Sequence, residues 1–146
     1  MAAARQIAQV PGVVRLVFGS IDFQADLGIE GEDDALLAFR SELVLASRLA
    51  QLASPVDGVS TALDDADLLA QDTARARRLG FGAKLCIHPR QVAAVNAGLS
   101  PRPAELDWAR RVLAAAETSG GAAVAVDGKM VDAPVIKRAQ ALLAMA

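Results

Sequence analysis

The chain has 146 residues and a net charge of −2, and 53% of its residues are hydrophobic while 22% are charged. This length suits one domain with a substantial core, and the composition is typical of a globular protein rather than a disordered one. Acidic and basic residues are interspersed without a basic stripe, which argues against nucleic acid as a partner, and no run of about 18 apolar residues predicts a membrane span.

The first part of the chain predicts two helices, each followed by a strand. A helix is expected over residues 2–10, and the β-branched run VVRLVF predicts a buried strand over residues 13–18. Gly19-Ser20-Ile21-Asp22 follows this strand and indicates a loop. Apolar residues recur at helical spacing over residues 32–52, and ASPV at 53–56 predicts the second strand.

The rest of the chain predicts a third strand, four helices and a small hairpin. In order, these are helix 64–79, strand 83–87, helices 90–97 and 104–117, hairpin strands 122–126 and 129–131, and helix 134–145. Three short apolar strands separated by helices are the pattern of βα units in a parallel sheet. No linker or repeat divides the chain, so the sequence predicts one α/β domain, either small and open or part of something larger.

Targeting signals are absent from the sequence pattern. The segment MAAARQIAQV has no long apolar stretch and no cleavage site, so it does not predict secretion. The single cysteine, Cys86, cannot form an internal disulfide and is interpreted as a small buried apolar residue. We therefore expect a cytoplasmic protein.

Four segments resemble a known family. LVFGSIDFQADLGI, residues 16–29, resembles the G-x-x-D-F/L-x-x-x-L/M-G loop of the HpcH/HpaI aldolase and citrate lyase β-subunit superfamily. Three further segments resemble that family in the same order, and together they cover nearly the whole chain: RSELVLASRLAQLASPVDGVS, ARRLGFGAKLCIHPRQV and GKMVDAPVIKRAQALL.

This resemblance implies a TIM (β/α)8 barrel, with the three predicted strands as the sixth, seventh and eighth. Residues 1–118 are then expected to form a partial barrel, and residues 119–146 a hairpin and helix extension of the same domain. In the resembling proteins the first five strands lie upstream, with a glutamate that binds metal and an arginine that holds a substrate carboxylate. Neither residue is found in this sequence.

The activity that the resemblance implies is carbon–carbon bond cleavage. We expect a lyase that depends on Mg2+ and acts on a hydroxyacyl thioester, such as malyl-CoA or citramalyl-CoA, or on a small oxo acid. The alternative is a truncated, non-catalytic half barrel that oligomerises or binds a ligand. The partners expected are a small-molecule substrate and further copies of the chain, as a homo-oligomer.

Asp22 is the predicted metal ligand. It directly follows the first predicted strand, where barrel enzymes place their active-site groups, although spacing alone favours a turn or helix-capping residue. The resemblance implies that its carboxylate binds Mg2+, which prefers oxygen ligands. Gly19, Ser20 and Ile21 are predicted to contact the substrate, because their backbone could approach a carboxylate.

Asp132 is the predicted catalytic residue. Lying before Ala133-Pro134, it is also a good N-cap for the last predicted helix. In the resembling lyases the corresponding aspartate reaches an active site, often that of a neighbouring subunit, and serves in acid–base chemistry on the acetyl thioester. A carboxylate near a thioester α-carbon could act as a base there.

His88 is the single histidine, and its position next to Pro89 leaves two interpretations open. It either bonds to the backbone and shapes the loop, or contacts a ligand at the rim of the thioester channel that the resemblance implies. We include it among the predicted substrate contacts. Arg40 is interpreted as a surface residue on a helix, whereas Asp57 is expected to help shape the pocket.

Overall fold

Short extended segments alternate with helices in this computed structural model, which describes residues 1–118 and 124–146. Contacts divide the chain into two compact units, Met1–Leu99 and Ser100–Ala146. The first contains α1 (Ala4–Ala8), α2 (Ser20–Leu27), α3 (Asp33–Leu49), β1 (Val56–Asp57), α4 (Ala66–Leu79), β2 (Ala83–Lys84), a 3-10 turn (Pro89–Gln91) and α5 (Val92–Leu99). The second contains α6 (Pro103–Thr118), β3 (Val124–Val126), β4 (Lys129–Val131) and α7 (Ala133–Leu143). Among the described helices, none has the length and apolar character needed to cross a membrane.

The sheet of the first unit is parallel, as the sequence predicts. β1 and β2 pair with Val56 opposite Ala83 and Asp57 opposite Lys84. Residues 13–18 lie on the other side of β1, where Phe18 N donates to Val56 O at 3.0 Å and a parallel bridge joins Val17 to Val56. The three predicted segments therefore lie side by side in parallel, but residues 13–18 form only a bridge at Val17, and β1 and β2 each pair over two residues.

The outer edge of residues 13–18 lacks a strand partner within the described part of the chain. In a parallel pairing, alternate residues turn their N–H and C=O groups to opposite edges, and β1 occupies only one edge. Val14 and Val17 are 75% and 56% exposed along this segment. A groove of about 470 Å³ lies beside it, lined among others by Ile7, Val17 and Phe23.

The apolar core of the first unit lies between residues 13–18 and the helices α1 and α3. Leu36 is fully buried and Phe18 is 2% exposed. Phe23 packs edge-on against Phe18 and Phe39, with ring centroids 5.6 and 4.7 Å apart. Such aromatic pairs contribute more to folding stability than their buried area alone would. These two pairs attach α2 to residues 13–18 and to α3.

Both ends of α4 follow the expected capping chemistry. Asp65 is the N-cap, and its Oδ1 accepts a hydrogen bond from Leu68 N at 2.8 Å. Gly80 closes the helix in the left-handed conformation, with φ of +98°, which glycine adopts without a steric penalty. The predicted helix 64–79 is confirmed, with Asp65 just outside its first residue.

The second unit joins two packed helices to a hairpin. Ala109 and Val112 of α6 are buried with Ala139 and Leu142 of α7. β3 and β4 pair antiparallel around Asp127-Gly128, whose φ angles of +54° and +72° are those of a type I′ turn. The predicted hairpin is confirmed for its described residues, while its predicted positions 122 and 123 lie outside them.

The compact units divide the chain at a different place from the predicted domain boundary. The first unit ends at Leu99, so α6 belongs with the hairpin and α7, whereas the predicted partial barrel extends to residue 118. The prediction that both parts belong to one domain stays a prediction.

Replacement of Asp65 by alanine should destabilise the protein through loss of the α4 cap. We expect the free energy of unfolding to fall by about 1 kcal/mol, because Leu68 N loses its acceptor. Asp64→Ala is the matched control, since its exposed carboxylate does not cap α4 and lies 3.5 Å from Arg90 Nη1. Urea denaturation of both variants would check this, and equal losses would contradict the capping role.

Candidate functional site

The carboxyl ends of the three parallel segments meet at one edge of the first unit. Because the segments run in the same direction, the residues that follow each of them lie side by side at that edge. They are Gly19 to Asp22 after residues 13–18, Gly58 to Ser60 after β1, and Leu85 to His88 after β2. The last two loops are linked by Gln91, whose Nε2 donates to Ser60 O at 3.0 Å.

Asp22 lies in the first turn of α2 rather than in a loop. The predicted loop at residues 19–22 is wrong, because α2 begins at Ser20, with Gly19 as its N-cap. The carboxylate in the first turn complements the partial positive charge of a helix N-terminus, and Gly28 ends the helix in the left-handed conformation. These two features are visible in the sequence, but the Gly-Ser pair favoured a turn.

The backbone amides in the first turn of α2 have no hydrogen-bond acceptor among residues 1–118 and 124–146. The amides of Ser20, Ile21 and Asp22 precede the first intrahelical hydrogen bond, from Phe23 N to Gly19 O at 3.0 Å. No described side chain caps this end of the helix. Such a group of amides favours an anion, so a carboxylate could bind here, as predicted for Gly19, Ser20 and Ile21.

The Asp22 carboxylate is exposed and has no hydrogen-bond or ion-pair partner in the described part of the chain. Its Oδ2 lies near Gly19, where a methyl group would approach it to 3.6 Å. One hard oxygen donor suits Mg2+, which usually binds one or two carboxylates and completes its shell with substrate and water. Over residues 1–118 and 124–146, no three acidic, histidine or cysteine side chains form a metal-binding group.

A buried ion pair stands beside this edge. Arg40 is fully buried, and its Nε donates to Asp57 Oδ1 at 2.8 Å, while Nη2 and Nη1 donate to Glu32 Oε2 and O at 2.7 and 3.0 Å. Burial alone would lower the pKa of Arg40, but the hydrogen bonds to Glu32 and Asp57 raise it above its ordinary value. The guanidinium also lies over the Phe18 ring, 5.6 Å from its centroid.

The interpretation of Arg40 as a surface residue is therefore wrong. The sequence carries a signal that could have shown this, because Arg40 shares a helix face with Leu36 and Leu43, four residues before it and three after it. All three side chains are buried. An arginine on the apolar face of a helix requires a buried acidic partner, and Asp57 is that partner.

Lys84 is a second buried cation that the sequence analysis did not single out. Its Nζ donates to Gly58 O at 2.7 Å, and the side chain is buried beneath the loop that follows β1. Burial lowers the pKa of Lys84, and the nearby carboxylates of Asp57 and Asp72 oppose this shift.

A further polar network joins α4 to the loop after β1 and to the start of α3. Ser60 Oγ donates to Asp72 Oδ2 at 2.5 Å, and Arg75 Nη2 lies 3.0 Å from Asp72 Oδ1. Arg75 Nη1 continues to Asp33 Oδ1 at 2.5 Å, and its Nη2 lies 3.5 Å from Glu32 Oε2. These links hold the loops around the edge in a fixed arrangement.

His88 shapes its own loop. Its Nδ1 accepts a hydrogen bond from Arg90 N at 3.1 Å and caps the 3-10 turn that begins at Pro89. This is the backbone contact that one of the two interpretations expected. Its contact with a ligand stays a prediction.

Asp132 belongs to the second unit and caps α7. Its Oδ1 accepts from Val135 N at 3.1 Å, and the side chain is exposed. The structure therefore gives Asp132 the capping position that the sequence allowed. Its catalytic role stays a prediction.

Comparisons with known proteins place the chain in a recognisable group. A family model described as HpcH/HpaI aldolase/citrate lyase matches residues 1–89. A citrate lyase subunit beta-like protein of Deinococcus radiodurans is 40% identical over 145 residues, covering 96% of this chain and 51% of the relative. A (3S)-malyl-CoA thioesterase of Cereibacter sphaeroides is 37% identical over 151 residues, covering all of this chain and 53% of the relative. The chain spans about half the length of the curated relatives it matches.

Solved structures agree with the sequence relatives. The CitE protein of Mycobacterium tuberculosis, crystallised with magnesium, acetoacetate and coenzyme A, superimposes with a TM-score of 0.85 at 33% identity. The match covers 98% of this chain and 55% of the CitE chain. The solved structures that resemble this chain are TIM-barrel proteins of the citrate lyase beta-like group, and this chain has the same α/β class of fold.

Replacement of Arg40 by methionine should be among the most destabilising single changes. Asp57 would then remain buried without its cation, at a cost of about 3–5 kcal/mol in the free energy of unfolding. The double variant Arg40→Met/Asp57→Asn should lose less, since position 57 then carries no negative charge that needs the guanidinium. Chemical denaturation checks this, with Arg5→Met as the control for the exposed Arg5–Glu42 pair, where little change is expected. A double variant as unstable as the single one would contradict the ion-pair explanation.

The buried Lys84 predicts a pH dependence of stability. Because burial lowers its pKa in the folded protein, the unfolded chain binds more protons between the folded-state pKa and the unperturbed value of 10.5. The free energy of unfolding should therefore rise with pH in that window, relative to Lys84→Met. Denaturation of both proteins at several pH values up to 10.5 measures the difference, and a difference independent of pH would refute the assignment.

Proposed function

Because the chain belongs to the HpcH/HpaI aldolase/citrate lyase family, we propose that it forms part of a magnesium-dependent carbon–carbon lyase. The substrate proposed is a hydroxyacyl thioester or a small oxo acid. The observation that carries the proposal is the first turn of α2, at the carboxyl edge of a parallel sheet. There the Asp22 carboxylate lies next to backbone amides, and neither has a partner among the residues that the structure describes. In this proposal the three parallel segments correspond to the sixth, seventh and eighth strands of the barrel.

The proposed metal site consists of Asp22 and ligand oxygens. Asp22 would hold Mg2+ through its carboxylate, with a bound oxo acid and water completing the coordination. A bound Mg2+ supplies a Lewis acid that polarises a carbonyl oxygen. The relation to the M. tuberculosis CitE protein, crystallised with magnesium and acetoacetate, supports this choice of metal and ligand class.

The proposed binding of the oxo acid relies on the backbone. The exposed amide end of the turn at Ile21 would donate to its carboxylate, because a helix N-terminus favours negative charge without a charged side chain. The side chain of Ser20 is buried and would not reach the ligand. Its contribution is therefore the position that it gives to the turn, as is that of Gly19.

Two further residues complete the proposal. Asp132 would take or return the proton at the α-carbon of the thioester, since its carboxylate is exposed and only Oδ1 is bonded among the described residues. His88 would line the ligand channel beside its capped loop. A homo-oligomer is proposed as the assembly in which Asp132 serves a site.

A second candidate function has its own support. The outer edge of residues 13–18 has no strand partner among the described residues, and it carries exposed valines and an apolar groove. Such an edge is the kind of surface that associates with another chain. A non-catalytic half barrel that oligomerises through this edge would use it without needing a complete metal site.

Magnesium binding to the purified chain tests the proposal. In calorimetric titrations with magnesium chloride in the presence of acetoacetate, Asp22→Ala should bind Mg2+ about tenfold more weakly or worse, because it loses the protein's ligand. Asp26→Ala is the matched control, since Asp26 is also an exposed acidic residue of α2, and it should bind like the wild type.

Equally weak Mg2+ binding by the wild type and both variants would contradict the assignment of Asp22 as the metal ligand. Light scattering on the same samples would then address the second candidate, which requires a stable oligomer of the wild-type chain. A monomer without magnesium affinity contradicts both functions.

A further inference from the structure

Gly58 is held at both of its backbone polar groups. Its N–H donates to Asp57 Oδ1 at 2.8 Å, and its C=O accepts from Lys84 Nζ at 2.7 Å. All three residues are buried. A glycine directly after a two-residue strand would otherwise be free to rotate, so these bonds fix the course of the chain where it leaves β1.

Arg40 fixes the acceptor that holds Gly58. Its Nε and the Gly58 amide both donate to the same atom, Asp57 Oδ1, and each distance is 2.8 Å. Asp57 Oδ2 has no partner in the described part of the chain. The carboxylate is therefore oriented through one oxygen, and the guanidinium decides where that oxygen lies.

The Cα of Gly58 faces the start of α2 at very close range. A methyl group there would lie 2.0 Å from Ser20 Oγ and 2.7 Å from Ser20 Cβ, with Phe18 O at 3.4 Å. Ser20 is 1% exposed and is the first residue of α2, two positions before Asp22. The first turn of α2 therefore rests directly on Gly58.

We propose that Arg40, Asp57 and Lys84 are positioning residues. They hold the backbone of Gly58 in the place where the first turn of α2 packs on it, an arrangement called here the Gly58 clamp, and they thereby place the Asp22 carboxylate. The link to metal binding rests on the function proposed above. The clamp explains why two buried cations and a buried carboxylate surround one glycine. Burying a charge costs free energy of folding unless hydrogen bonds and an opposite charge hold it in a defined geometry. Here the groups so held contact Gly58, on which the turn that carries Asp22 packs.

Gly58→Ala, with a compensating change, provides the test. The new methyl group must displace Ser20, so hydrogen exchange of the α2 amides should become about tenfold faster, and magnesium binding about tenfold weaker. In Ser20→Gly/Gly58→Ala both conflicting side-chain atoms are gone, so exchange in α2 should return close to the wild-type rate. Lys84→Met, which removes the donor to Gly58 O, should also accelerate exchange in α2 and serves if Gly58→Ala does not fold.

Gly82→Ala is the matched steric control. Its methyl group would meet Ser54 Cβ at 2.9 Å, which is a milder conflict in the same unit that does not involve Ser20. This variant should lower the free energy of unfolding without selectively accelerating exchange in α2.

Unchanged exchange in α2 for both Gly58→Ala and Lys84→Met would overturn the proposal. So would failure of Ser20→Gly to restore a folded Gly58→Ala, or an equal effect of Gly82→Ala on α2. Should the wild-type chain not bind Mg2+, the lyase proposal fails on that result, while the exchange measurements still decide whether the clamp positions α2.

Discussion

The buried contact between Arg40 and Asp57 is the interaction on which the arrangement of the first unit depends. It joins the middle of α3 to the end of β1, and both side chains are removed from water. Removing such charges from water is unfavourable, and mutual attraction offsets it only where further hydrogen bonds satisfy the ions. All three guanidinium nitrogens of Arg40 donate a hydrogen bond, and Glu32 supplies two of the acceptors. The pair is therefore stable only in one relative position of helix and strand.

From this contact, a network of ion pairs and hydrogen bonds extends along the carboxyl edge of the sheet. Glu32 is shared between Arg40 and Arg75, and Arg75 connects it to Asp72 on α4. Asp72 in turn accepts from Ser60 in the loop that follows β1. Because each carboxylate is bonded to a group on another element, a shift of one loop disturbs the others. Regular pairing covers only two residues in each of β1 and β2, so the network provides order that backbone hydrogen bonds alone do not.

Sequence patterns predict the parts of this unit that depend on many residues. The helix 64–79 and the three parallel segments follow from repeated apolar positions and end signals, and Asp65 and Gly80 act as those signals indicate. The short helix α2 was missed because Gly19-Ser20 resembles a turn and eight residues carry little periodicity. The burial of Arg40 is indicated by its helix face, which it shares with Leu36 and Leu43, but that face does not identify its acidic partner. Asp57 lies 17 positions away, and spacing alone does not connect them.

The ends of α2 and β1 also explain how one site could hold a cation and an anion together. A helix N-terminus attracts negative charge, so free amides in the first turn of α2 oppose metal binding unless an acidic group is present. Asp22 provides one such group within that same turn. A second negative charge, such as the carboxylate of an oxo acid, would occupy the amides and leave the Asp22 oxygens for the metal. In the proposed site, this geometry would favour binding of metal and oxo acid as a pair over binding of either alone, and it would require that the turn be held still. Gly58, fixed through Asp57 and Lys84, is the part of the structure that meets this requirement.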